Sequence, residues 1–137
     1  MKKKILSQVC RYDQGIALRE CGVDQNHSTY YLNKNGDNYT LTHTFLQPFE
    51  NNDDNPWVAV FTVSELGELL PAKAWSMKIE SGEWIAEYEC CSERHRSAAC
   101  QTESAARADL LLRLLKQNVV HADDVNRRLA NIYQAAA

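Results

Sequence analysis

Two stretches of this chain read as β-hairpins, and they narrow the available folds more than any other feature. In HSTYYLNKNGDNYTLTHTF, Thr29, Tyr30, Tyr31 and Leu32 are strand formers. Asn35-Gly36 is the favoured pair for a tight turn with positive φ. Beyond it, Tyr39, Leu41 and His43 alternate with Thr40, Thr42 and Thr44, the period of a strand with one buried face. A second hairpin is written in Trp75, Met77 and Ile79, which alternate with Ser76 and Lys78. It turns at Ser81-Gly82 and returns through Trp84, Ala86 and Tyr88, or through Ile85 and Cys90. Trp75 and Trp84 flank this turn and are expected to share a face. Strands that arrive as hairpins pair antiparallel.

The helical signals lie around these strands. Ile16, Ala17 and Cys21 are spaced helically within YDQGIALREC, and Gly22 follows as a stop. Gly15 inside that stretch costs about 1 kcal/mol relative to alanine. WVAVF, residues 57–61, reads as a strand or the lead-in to a helix. Thr62 and Glu65 form a capping-box pattern ahead of Val63, Leu66, Leu69 and Leu70, and Pro71 ends that helix. Thr102 caps a helix running to about Gln117, with Ala106, Leu110, Leu111, Leu114 and Leu115 on a broad apolar face. Asn118 suits its C′ position, and a last helix from Ala122 to about Gln134 presents Val125, Leu129 and Ile132. The order predicts an α+β fold: a mainly antiparallel sheet built from hairpins, covered on one face by about four helices.

At 137 residues the chain is sized for one domain, residues 1–137, with a single core. Apolar residues are 45% and charged residues 24%, a globular mixture that excludes disorder of the whole chain. A net charge of −3 is unlike the basic excess of a nucleic-acid binder. MKKKILSQVC opens like a signal peptide, but Ser7, Gln8, Arg11, Tyr12 and Asp13 interrupt the apolar core such a peptide needs. No apolar run approaches the roughly 18 residues that span a bilayer. The expectation is a cytoplasmic protein whose five cysteines are reduced, their odd number opposing a closed disulfide framework.

The densest chemistry is CCSERHRSAAC, residues 90–100, with Cys90, Cys91, His95 and Cys100. Side chains of adjacent residues on a strand point to opposite faces, so Cys90 and Cys91 are not expected to share an ion. Structural zinc wants paired ligands at short spacing, which is missing here. A C-x-x-C redox motif is missing too. Packing as small apolar groups is the simpler reading. From Asp37 to Glu68 the carboxylates Asp37, Glu50, Asp53, Asp54, Glu65 and Glu68 occur with no Lys or Arg among them. The loop QPFENNDDNP, residues 47–56, lacks the alternating ligands of a calcium loop. It reads as a solvated loop or a contact for a basic partner. Arg94, Arg96, Arg107, Arg113, Arg127 and Arg128 are interleaved with acids, which favours surface pairing over phosphate contact. Trp57, Trp75 and Trp84 are candidates for an aromatic contact patch.

The phrases YDQGIALRECGVD, STYYL, FTVSELGELLP, SGEWIAEYE, TESAARADLLLRLLKQNVV and DVNRRL together span nearly the whole chain. They resemble small uncharacterised proteins encoded by phages and mobile elements of gut anaerobes. Two departures are Arg11, where that group has Ser or Thr before the first helix, and the cysteine-rich segment at 90–100. The resemblance implies a mobile-element accessory protein and carries no activity or residue role with it.

These readings together point to a non-enzymatic protein-interaction or accessory protein. Asp53, Asp54, Trp57, Arg127 and Arg128 are its candidate contact residues. No catalytic residue, metal or cofactor is assigned. Two alternatives stand beside it: nucleic-acid binding through the C-terminal arginines, and a thiol- or metal-dependent activity at residues 90–100.

Overall fold

The computed structural model describes residues 6–43 and 57–135. In chain order they form α1 (Tyr12–Glu20), β1 (Tyr30–Asn35), β2 (Asn38–His43), β3 (Trp57–Val60) and α2 (Val63–Leu69). Then follow β4 (Trp75–Lys78), β5 (Trp84–Cys90), β6 (Glu93–Arg96), α3 (Glu103–Lys116) and α4 (Ala122–Ala135). The fold is α+β and every strand pairing is antiparallel. The strands divide into two three-stranded sheets, ordered β2-β1-β3 and β4-β5-β6.

The helix ends form where their side chains can satisfy free backbone groups. At α2, Thr62 Oγ1 accepts from the Glu65 amide at 3.1 Å, and Glu65 Oε1 accepts from the Thr62 amide at 2.9 Å. At α3, Thr102 Oγ1 accepts from the Ala105 amide at 3.1 Å, and Asn118 takes a left-handed φ of 60° after the last turn. Gly22 ends α1 with a φ of 94°.

Helix α3 is central. Its apolar stripe is buried as its spacing predicts, and Ala105, Ala108 and Leu112 are buried as well. Apolar burial on more than one side fits a helix wedged between α1, α2 and the second sheet. Helix α1 lies on β3 at very short range. A Cβ added at Gly15 would sit 2.7 Å from Val58 Cγ1 and 2.9 Å from the Ala59 carbonyl oxygen. The glycine that weakens this helix in isolation is what lets it dock.

Two sequence expectations shift in detail. The first hairpin turns one residue later than Asn35-Gly36, because Asn35 pairs with Asn38 and leaves Gly36 and Asp37 as the loop. Gly36 alone of these two has a positive φ, 64°, as the leading residue of a tight hairpin turn can. In the second hairpin Trp75 faces Glu87 and Lys78 faces Trp84. That register sends odd-numbered residues of both strands to one face and even-numbered residues to the other. Trp75 and Trp84 are therefore on opposite faces.

Candidate functional site

The register of the second sheet decides what its two faces offer. On the inner face, Ala86 is fully buried, and Ser76 Oγ contacts Glu103 and Arg107 of α3. Trp84 is half-buried against the same core. The opposite face carries Trp75 and Met77 from β4, Ile85, Glu87 and Glu89 from β5, and Arg94 and Arg96 from β6. Trp75 is 39% and Met77 47% exposed. Strand β4 pairs with β5 alone among the described strands, so its other edge carries no ladder there. The centre of this face is covered, with Ile85 and Glu87 buried, and the aromatic ring and thioether of the edge strand β4 are left exposed.

Charges on this face are internally balanced. Glu87 is only 4% exposed, in the row Trp75–Glu87–Arg96. Arg96 Nε donates to Glu87 Oε1 at 2.6 Å, and Arg94 Nε approaches Glu87 Oε2 at 3.9 Å. A buried carboxylate without such partners would carry a large desolvation cost.

The other C-terminal arginines are also engaged. Arg107 donates to the Val63 carbonyl at 2.8 Å and to Glu103 at 3.2 Å. Arg113 donates to Asp109 at 2.7 Å, and Arg127 pairs with Asp124 at 3.4 Å. Arg128 Nη1 donates to the carbonyls of Leu69 and Leu70 at 3.0 and 3.1 Å, closing the C-terminal end of α2. Among the contact residues expected from sequence, Arg128 thus has a holding role and Arg127 remains on the surface. Trp57 is half-buried against the core. Asp53 and Asp54, with the rest of the 47–56 loop, lie outside the described residues.

The cysteine segment departs from its sequence reading. Cys90 ends β5, but Cys91 is not on a strand. Cys91 and Ser92 have φ values of 53° and 71° and form the two-residue turn into β6. That left-handed backbone swings Cys91 round, and its Sγ lies 3.4 Å from Cys90 Sγ, both residues being exposed. The expectation of opposite faces failed because it assumed extended backbone at position 91. Cys100 is buried near the other end of β5, where its backbone bridges Trp84. His95 stacks on Tyr88 with ring centroids 6.4 Å apart. The Tyr88 hydroxyl and the Cys91 thiol lower the Cys90 thiol below its ordinary value, while the Cys90 sulfur raises Cys91.

A polar cluster that sequence reasoning missed joins α2, α4 and the segment before β1. Glu65 Oε2 accepts from Tyr133 Oη at 2.7 Å and from the Thr29 amide at 3.3 Å. Burial and the neighbouring Glu65 carboxylate raise the Tyr133 phenol. The His27 ring lies 5.5 Å from the Tyr133 ring, and its Nδ1 is 3.0 Å from Asp24 Oδ2. The one available signal was the capping glutamate, whose second oxygen has no task in the cap itself. The described grooves are open. One of about 580 Å³ between α2 and α4 is lined by Glu68, Leu70, Arg128 and Ile132. Another of about 420 Å³ beside β6 is lined by Arg94, His95, Arg96 and Arg113. No described helix is long and apolar enough to cross a membrane. No protein-family model, curated protein or solved structure matches this chain.

Proposed function

We propose that the chain is a non-enzymatic protein-binding protein, and that its contact surface is the outer face of the β4-β5-β6 sheet and the edge of β4 that no described strand pairs with. The observation that carries this reading is the exposure of Trp75 and Met77 on that face. Two large apolar side chains side by side on an edge strand suit an incoming segment. The occupant is an extended stretch of a different protein. Its backbone adds to β4, and its apolar side chains, at alternate positions, cover Trp75 and Met77. Glu87 is already neutralised by Arg94 and Arg96, so apolar contact can form around it without stranding a charge.

Engagement of all six C-terminal arginines counts against the nucleic-acid alternative, since a paired guanidinium has less to gain from a phosphate. The phage or mobile-element setting rests on the sequence resemblance alone.

The test is selection of unstructured peptides on the purified protein, followed by affinity measurement. Bound peptides are expected to alternate apolar and polar residues, and Trp75→Ala is expected to weaken binding about tenfold or more. Undiminished affinity in Trp75→Ala, with circular dichroism unchanged, would contradict the proposal. So would a homodimer in sedimentation that Trp75→Ala abolishes, which would assign the face to a second copy of the chain.

A further inference from the structure

We infer that Cys90 and Cys91 form a dithiol exchange site on the β5-β6 turn that reacts with low-molecular-weight disulfides of the glutathione class. The turn holds the two sulfurs 3.4 Å apart and exposed, too far for a bond of about 2.05 Å and close enough for one thiol to attack a bond formed at the other. The two thiols are also unequal. Cys91 Sγ is within hydrogen-bond reach of Cys90 Sγ, and the nearby Tyr88 hydroxyl and Cys91 thiol favour the Cys90 thiolate. Cys91 keeps its proton longer and is suited to the second step. An exposed thiol whose thiolate is favoured, beside a second exposed thiol, is the arrangement of a reversible thiol sensor. His95 and Cys100 take no part, one stacked on Tyr88 and the other buried beside Trp84.

In the first step the Cys90 thiolate attacks one sulfur of the small disulfide. A Cys90–glutathione disulfide forms, and one glutathione leaves as thiolate. In the second, Cys91 loses its proton to solvent and attacks the Cys90 sulfur. The Cys90–Cys91 bond forms, and the second glutathione leaves as thiolate. Two protein thiols are oxidised, one small disulfide is reduced to two thiols, and the protons of Cys90 and Cys91 end on the released glutathiones. Adjacent Cα atoms are about 3.8 Å apart, below the usual 4.4 Å minimum for a disulfide. The product is therefore strained and readily reduced, which makes the modification reversible.

The full-length protein is treated with oxidised glutathione at neutral pH, and the tryptic peptide Ile79–Arg94, which holds Cys90 and Cys91 and no other cysteine, is weighed unreduced. The wild-type peptide is expected to lose two hydrogens and to regain them with dithiothreitol. Cys91→Ser is expected to keep one glutathionyl group on Cys90. Cys90→Ser is expected to keep one glutathionyl group on Cys91. A glutathionyl group retained on the wild-type peptide at the end of reaction overturns the proposal. Reaction at Cys21 with this peptide untouched overturns it too. Both positions are exposed, one at the end of β5 and one on the turn, and an unchanged circular dichroism spectrum confirms that each variant is folded.

Discussion

Gly15 shows how a single residue can look like a weakness in sequence and act as a fitting in structure. Its missing Cβ admits Val58 Cγ1 and the Ala59 carbonyl to within 3 Å of where that atom would stand. Gly15→Ala gains helix propensity of about 1 kcal/mol. The clash with β3 acts against it, since overpacking a filled site costs typically 1–3 kcal/mol. Because a backbone oxygen cannot swing aside, the clash is expected to win, and urea denaturation should show a lowered midpoint. Asp24 supplies a second residue-scale expectation. Burial works to raise its carboxyl, but hydrogen bonds from the Asn26 amide and His27 outweigh burial and hold it below its ordinary 3.8. A depressed carboxylate adds stability that is fully present above its unfolded value and is lost as pH falls through the folded one. The advantage of wild type over Asp24→Asn is therefore expected to shrink below pH 3.8, as measured by denaturation across an acid series. Cys91 marks where residue-level reading stopped. Nothing in Cys-Cys-Ser-Glu announces positive φ, because the turn lacks the Gly or Asn that usually signals it.

At the scale of elements, local chemistry was legible and pairing was only partly so. Both threonine caps, the Pro71 stop, the Asn118 C′ position and the apolar stripe of α3 are written within a few residues of where they act. The capping box at Thr62 has a consequence that can be measured. Thr62→Ala removes one half of the reciprocal pair and is expected to cost about 1 kcal/mol. Glu65→Ala should cost more, because it also strips the partner from Tyr133 and the Thr29 amide. Equal destabilisation by the two variants would contradict the bridging role of Glu65. Register was less legible. The five residues Ile79 to Glu83 between β4 and β5 set the parity that separates Trp75 from Trp84. One residue more or fewer in that loop would have reversed the faces of a whole strand.

For the whole molecule, the hairpin order implied antiparallel α+β architecture, and that is what forms. The division into two sheets was not readable, because strand partners from different hairpins are chosen by packing on α3 and α1 rather than by any adjacent residue. The division also creates the candidate surface. One face of the second sheet is committed to α3, and the other is left with Trp75 and Met77 exposed. The measurement that bears most directly on this account is amide chemical-shift mapping of the full-length protein with a selected peptide. The account predicts shifts concentrated at Trp75 to Lys78 and at Ile85 and Glu87, with α2, α4 and the groove between them unmoved. Shifts centred on that groove, or spread over the β1-β2 hairpin with β4 silent, would contradict it.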